Sequence, residues 1–482
     1  MHLPRPEIQG RIIATLGPAS RDLPVIRALA QAGARGFRFN FSHGTPEQHL
    51  EALQRLRTVE QELQMPLAAI QDLPGPKIRV GSVAQDQVRL QRGQRFLLYD
   101  DDRPGDERGV SVRLPGFWKA LNPGDRILLG DGEMELEVVD PGPPVDTRVL
   151  RGGLLRSGKG VTLPSGPYLP SLGPEDRRLL ELGLNAGFDY VALSYVQHPR
   201  DLEEARRLLQ DHPTRLMVKI ERREALDHLE RIVELADAVI VARGDLGLAV
   251  DLTELPHLQR RIIQTARRHH RPVHVATQTM ASMVDLPRPT RAEVTDVTLA
   301  LLQGADGILL SDETAVGRYP VDTVAWARRI LKTAEAHLRP SPVPRTGSSP
   351  VEALVDAAVD LAHRVGARCL IAPTASGATA LRLSSRRPRL PIFAVTPSER
   401  VARQIHIAFG VEPVIGQEAS LAVLLQQAVQ RIRRCVPDLA PEDRCVVLVG
   451  LPLKVRGNTN TLLLRTWQQL QEGQGLDEVS EA

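Results

Sequence analysis

Eight short apolar runs lie within the first 315 residues, most of them separated by stretches with helical periodicity. They are Ile12–Leu16, Phe37–Phe41, Ala68–Asp72, Tyr190–Tyr195, Leu216–Glu221, Ala238–Arg243, Pro272–Thr277 and Gly307–Ser311. Helices are predicted between them at Pro24–Ala32, Pro46–Leu63, Pro174–Ala186 and Pro199–Leu209. Strand and helix in alternation mean parallel strands joined by crossovers. Eight such units suffice to close a (β/α)8 TIM barrel, with an open doubly wound sheet as the competing arrangement.

The alternation breaks once, after the third run. Residues 79–165 hold short strand-like pieces (Arg95–Tyr99, Arg126–Leu129, Glu133–Val139) among Pro-Gly and Gly-Asp turns, which predicts a small inserted β-barrel. It leaves and rejoins the mouth where barrel active sites sit, so it reads as a lid. Residues 1–78 and 166–338 then form the barrel, and the Pro- and Ser-rich 339–350 a linker. A C-terminal open α/β, doubly wound regulatory domain is predicted over 351–482. Its strands are Arg368–Ala372, Ile392–Val395, Val411–Ile415 and Cys445–Val449, and its helices Val351–Val365, Ala378–Ser385, Glu399–Ala408 and one from Glu418.

Charge and cysteine content narrow the function classes. A net charge of +3 from 61 basic and 58 acidic residues gives no field favouring nucleic acid or a membrane surface. The basic runs 267–271 and 386–389 read as solvated helix ends, with phosphate patches as the alternative. Three cysteines without metal-ligand spacing, no apolar leader in Met1–Gly10 and no long apolar run point to a reducing, cytoplasmic setting. Only six residues are lysine, so a lysine inside an apolar strand needs its own explanation.

Lys219 is such a residue. In Leu216–Glu221 it shares a strand face with Glu221, at the C-terminal end. The next run ends in Arg243-Gly244-Asp245. One carboxylate from each of two neighbouring strand ends suits Mg²⁺, which keeps its other positions for water and substrate. Structural Lys219–Glu221 and Arg243–Asp245 ion pairs are the bland alternative. On the second run Arg38, Asn40 and Ser42 alternate with Phe37, Phe39 and Phe41, so the polar row faces the lumen if the sheet closes. Asp72, Thr277, Gln278, Ser311, Asp312 and Glu313 end other runs. No Walker A or dinucleotide loop occurs, so phosphate would be handled by side chains and a metal on a barrel rim.

The resemblance becomes specific in particular segments. Residues Ile13–Ser20, Arg38–Gly44, Lys219-Ile220-Glu221, Ala242–Gly247, Ala276-Thr277-Gln278 and Pro287–Val294 resemble the pyruvate kinases, in family order. The last contains Thr290 and Glu293 at capping-box spacing. The resemblance implies transfer of phosphate from phosphoenolpyruvate to ADP, Mg²⁺ (or Mn²⁺) on Glu221 and Asp245, and Lys219 facing the moving phosphoryl group. It implies Arg38 and Arg79 as phosphate contacts, and Arg243, Gly244, Asp245 and Thr277 as the pocket for the substrate carboxylate. Thr277 and Ser311 are candidates for relaying a proton to the enolate. Lys159 is a candidate for nucleotide phosphates and Asp131 for a lid contact, with a surface lysine and a turn aspartate as the alternatives. A homotetramer is implied by the family alone.

Two further expectations concern ions and regulation. Many family members bind K⁺ at positions matching Asn40, Ser42, Asp72 and the Leu73 carbonyl, with glutamate where this chain has Lys77. Members independent of K⁺ resemble this chain at Leu73, Lys77 and Val80, so Lys77 is expected to replace the cation and K⁺ not to be required. Asp312, Thr279 and Ala281 depart from the usual residues. Thr374, Ser376, Gly377 and Thr379, between a strand and a helix, resemble the loop that holds a phosphorylated effector; an ordinary helix cap is the alternative. Residues 457–460 resemble a partner segment. Outside this family, a magnesium-dependent lyase or aldolase, or a metabolite-binding regulator without catalysis, are the competing functions.

Overall fold

A computed structural model describes residues 9–130, 132–163, 168–338, 349–416, 420–451 and 459–472. Eight parallel strands close into a barrel: β1 (Arg11–Leu16), β2 (Ala34–Asn40), β3 (Ala68–Asp72), β4 (Tyr190–Leu193), β5 (Arg215–Ile220), β6 (Ala238–Ala242), β7 (Val273–Ala276) and β8 (Gly307–Leu310). Neighbours pair in sequence order and β8 returns to β1, with Arg11 opposite Gly307. The open-sheet alternative is thereby excluded.

The period-2 reading of the second run holds as far as Asn40, where the strand ends; Ser42 lies past it in a turn and is exposed. Phe37, Phe39 and Phe41 are buried in the layer between strands and helices, while Arg38 turns inward. Several barrel helices start where local chemistry tells them to. Thr45 and Gln48 form a reciprocal capping box before Pro46–Leu63, and Thr290 and Glu293 form one before Arg291–Leu302. Glu293 also takes the backbone and hydroxyl donors of Ser282, which ties the helix to the loop after β7.

The inserted segment forms a six-stranded sheet and a two-stranded antiparallel pair around an apolar core of its own, including Phe96, Ile127 and Leu136. The C-terminal region carries a five-stranded sheet: β9 (Cys369–Pro373), β10 (Ile392–Thr396), β11 (Val411–Ile415), β12 (Arg444–Val449) and β13 (Thr461–Thr466), in the order 11-10-9-12-13. Apolar cores lie on both of its faces. The last strand was not anticipated. It pairs antiparallel with β12 and has no crossover helix to announce it.

The barrel floor is closed by the C-terminal region. The helix expected to reach Ala408 ends at Ile405, and Ile407 enters the lumen beside Ile13, Ile70, Tyr190, Met217 and Leu309. Tyr190 donates its hydroxyl to the Gln404 carbonyl at 2.7 Å, and Arg11 reaches Glu412 at 3.0 Å. The two basic runs are neither solvated helix ends nor phosphate patches over their whole length. Arg267 is buried and donates to the Ser385 carbonyl at 3.1 Å, while Arg387 pairs with the buried Asp306 at 2.8 Å. They interlock the two halves of the molecule because each finds its acceptor on the other.

Two histidines at this floor are fully buried. Burial pushes His274 and His406 each down to about 4, and His406 Nδ1 sits 2.7 Å from the Pro66 carbonyl. An unfolded chain takes up these protons near pH ~6.5, whereas the fold resists them until about pH 4. Stability is therefore complete above that window and lost as pH falls through it, on the order of 3 kcal/mol per imidazole. The urea midpoint should drop between these pH values, and His274→Gln should shrink the drop; an unaltered drop in the variant would contradict this assignment.

Candidate active site

Strand ends at the C-terminal mouth of the barrel place five charged groups together. Arg38 on β2 donates from Nε to Asp72 Oδ2 of β3 at 2.6 Å, and its Nη1 reaches the Thr15 hydroxyl of β1 at 3.3 Å. Lys219 on β5 stands 3.4 Å from Asp72 and 3.4 Å from Glu221, and donates to the Ser194 hydroxyl at 2.9 Å. Ser194 in turn donates to the Leu73 carbonyl at 2.6 Å. Asp245, just past β6, is held less tightly: the Lys77 ammonium is 4.0 Å from Oδ1 and the Tyr195 hydroxyl 3.3 Å.

Burial and charge set opposing demands here. Asp72 is 1% exposed; burial alone would raise its carboxyl, but Lys219 and Arg38 hold it below the usual range. Burial likewise works against the Lys219 ammonium, yet Asp72 and Glu221 carry its pKa above the ordinary value. Glu221 goes the other way. Its burial outweighs the pull of Lys219, and nearby Asp245 adds to the upward push.

Glu221 also tests whether the site fits a divalent metal. Its Oε1 accepts the Tyr195 backbone N–H at 2.5 Å, but Oε2 is buried with no hydrogen-bond donor. An anionic oxygen with an ammonium 3.4 Å away but no hydrogen bond, on a residue that feels the Asp245 carboxylate from the next strand end, is a position that a divalent cation satisfies. Among the described residues no cluster of three or more His, Cys, Asp or Glu could hold a metal. A two-carboxylate site therefore suits a hard ion that completes its shell with water and substrate oxygens. The pocket over it is lined by Lys77, Ile78, Tyr195, Glu221 and Asp245 from the barrel side and by Val161 and Thr162 from the insertion.

Around the rest of the rim, polar groups hold one another in place. Arg243 is buried, pairs with Asp296 at 2.6 Å, and donates to the carbonyls of Thr277 at 2.8 Å and Gln278 at 3.2 Å. Its guanidinium thus supports the loop after β7, where Thr277 and Gln278 adopt φ of 67° and 51°. A branched residue at positive φ is strained, and the Arg243 contacts keep it there. The Gly244 N–H donates to the Thr277 hydroxyl at 2.7 Å. Buried Glu313 accepts from Ser311 N at 2.7 Å and Met280 N at 3.1 Å, joining the loops after β7 and β8.

Not every candidate joins the cluster. Arg79 donates to the Gly158 carbonyl at 2.9 Å, within the insertion. Lys159 pairs with Glu133 at 3.3 Å, and Asp131 lies outside the described residues. Asn40 pairs in register with Asp72 and caps the Ser42 N–H at 3.2 Å. Ser194, Tyr195 and Asp296 are contributors that sequence reasoning did not single out. A strand rim read as Ser-Tyr-Val offers no charge to notice, and Asp296 sits on a helix.

The C-terminal loop is built around its hydroxyls. The Thr374 hydroxyl accepts the Gly377 N–H at 2.9 Å, Gly377 has φ of 82°, and Thr379 meets Thr459 at 2.9 Å. Gly457 and Asn458 lie outside the described residues, while Thr459 and Asn460 lie within them. Arg215, at the far end of the strand that carries Lys219, donates to the Ser376 carbonyl at 2.5 Å.

A (β/α)8 barrel with an inserted β unit and acid–lysine chemistry at its mouth defines a class of barrel enzymes, and comparison with known proteins narrows it. Residues 8–324 match the family described as pyruvate kinase, barrel domain, and residues 352–464 that described as pyruvate kinase, alpha/beta domain. The pyruvate kinase of Agrobacterium vitis is 41% identical over 94% of this chain and 96% of its own. Those of Methylorubrum extorquens (39%, over 93% of this chain and 95% of its own) and Thermotoga maritima (35%, over 94% and 98%) are similar over nearly their whole length. The chain belongs to the pyruvate kinase family of phosphotransferases. The lyase and aldolase alternative is set aside by this match. Among the described residues no helix is long and apolar enough to cross a membrane.

Proposed function

We propose that this chain transfers the phosphoryl group of phosphoenolpyruvate to ADP, giving pyruvate and ATP, as a cytoplasmic homotetramer in glycolysis. The observation that carries the reading is Lys219 fixed between Asp72 and Glu221, whose Oε2 stands 3.4 Å from the ammonium and accepts no hydrogen bond. Mg²⁺, with Mn²⁺ as a substitute, would be held by Glu221 and Asp245 and would polarise the enolate and carboxylate oxygens of the substrate. The P–O bond to the enol oxygen breaks while one to the terminal phosphate of ADP forms. Fixed positive charge from Lys219 and Arg38 is stronger on the spread-out charge of that transition state than on the ground state. Arg79, on the lid side, would contact phosphate as residues 79–165 close over the nucleotide, and water exclusion protects the donor. The substrate carboxylate would lie against Gly244, Asp245 and Thr277, with Arg243 bracing the pocket. Thr277 and Ser311 would relay the proton that the enolate takes up, directly or through water.

Lys77 places a fixed ammonium at this rim, 4.0 Å from Asp245, and would stand in for the K⁺ otherwise held at Asn40, Ser42, Asp72 and Leu73. The loop of Thr374, Ser376, Gly377 and Thr379 would hold the phosphate of an activating metabolite. The Arg215–Ser376 contact gives it a path into the β5 strand.

Pyruvate formation from phosphoenolpyruvate and ADP, coupled to lactate dehydrogenase, tests the activity itself. Lys219→Met should lower kcat by on the order of 10²–10⁴ while the fold persists; no pyruvate from the unaltered protein would leave a binding protein without catalysis. In tetramethylammonium buffer free of Na⁺, adding KCl should change the initial rate less than twofold, and strong activation would remove Lys77 from this role. Activation by a sugar phosphate or nucleoside monophosphate should be lost in Ser376→Asp, with basal turnover kept; an intact response would place the effector elsewhere.

A further inference from the structure

Tyr195, immediately past β4, touches both carboxylates of the candidate metal site. Its backbone N–H donates to Glu221 Oε1 at 2.5 Å and its phenol to Asp245 Oδ1 at 3.3 Å. The two acids come from neighbouring strands, and as like charges they repel one another unless something holds them. Tyr195 grips each through a single oxygen. On Glu221 the other oxygen, Oε2, accepts no hydrogen bond and has the Lys219 ammonium 3.4 Å away, and on Asp245 the contacts from Tyr195 and Lys77 fall on Oδ1.

The backbone that makes this double contact is itself unusual. Tyr195 has φ of 56°, a left-handed conformation that bulky residues rarely adopt, and strain of this kind persists only where surrounding contacts enforce it. Gly75 allows the enforcement. At φ of 66° it packs so closely that a Cβ there would lie 2.9 Å from Ser194 Cβ and 3.1 Å from the Tyr195 ring. Asp176 fixes that glycine by accepting its N–H at 2.8 Å. The loop after β3 therefore presses Tyr195 into the shape that reaches both acids.

We propose that Tyr195 is a positioning residue: a clip that sets Glu221 and Asp245 at the spacing a divalent ion requires, leaving the ion Glu221 Oε2, which accepts no hydrogen bond. This rests on the reading of those two acids as the metal ligands. Tyr195→Phe keeps the ring and the backbone donor and removes only the phenolic contact. Titration of Mn²⁺ against the protein without substrates, with free ion counted by electron paramagnetic resonance, separates the cases when Glu221→Gln is run beside it. Tyr195→Phe should weaken Mn²⁺ binding about tenfold, the lower end of what orienting partners contribute. It should also raise the KM for metal more than it lowers kcat, whereas Glu221→Gln should abolish tight binding. If Glu221→Gln loses the ion and Tyr195→Phe holds it as tightly as the unaltered protein, the clip is wrong and the metal reading survives. If Glu221→Gln binds normally, the metal reading falls and the clip with it.

Discussion

Asp72 is the anion on which the barrel mouth is organised. It is buried on β3 and takes Arg38 from one side and Lys219 from the other, so two cations that would repel one another share one partner. Removing a partner from a buried ionic group is costly, on the order of 3–5 kcal/mol, because the remaining charges lose what compensated their dehydration. The fold accepts that liability where charge is useful to chemistry. Lys219 stays protonated in the cleft, and the Glu221 oxygen that faces it at 3.4 Å, Oε2, accepts no hydrogen bond. A site satisfied by its own side chains would have no reason to bind an ion. Here Glu221 Oε2 is left with an ammonium at 3.4 Å and no hydrogen bond.

The other end of the barrel shows the opposite design. At the floor, polar groups are paired across the junction with the C-terminal region: Tyr190 with Gln404, Arg11 with Glu412 and Arg387 with Asp306. Ile407 fills the lumen below the substrate end. The same strands thus carry a sealed end and an open, charged one. Strand β5 spans both, from the Arg215 contact with Ser376 to Lys219. That continuity gives the effector proposal a physical route, since a rigid strand in a closed sheet transmits a shift at one end to side chains at the other.

Much of this was legible in the residues. Apolar runs located all eight barrel strands, because parallel strands covered on both faces have to be apolar throughout. Polar residues at the ends of those runs then marked the rim, and Lys219 stood out in a chain with so few lysines. What escaped notice depended on contacts between distant segments. Ser194 and Tyr195 acquire roles only because β4 closes against β3 and β5. Arg267 and Arg387 looked solvated, since nothing nearby in sequence shows that Ser385 and Asp306 will meet them. Strand β13 has no such signal for a related reason: an antiparallel edge strand needs no crossover helix before it.

The central claim is that Glu221 and Asp245 form one cation site beside Lys219. Anomalous diffraction from a crystal soaked in Mn²⁺ locates such an ion without reference to activity. The expected result is a single strong peak about 2.1 Å from one oxygen of each carboxylate, near the Mg²⁺ distance. A peak bound to other groups, with these two acids left to Lys219 and Lys77 alone, would contradict the account.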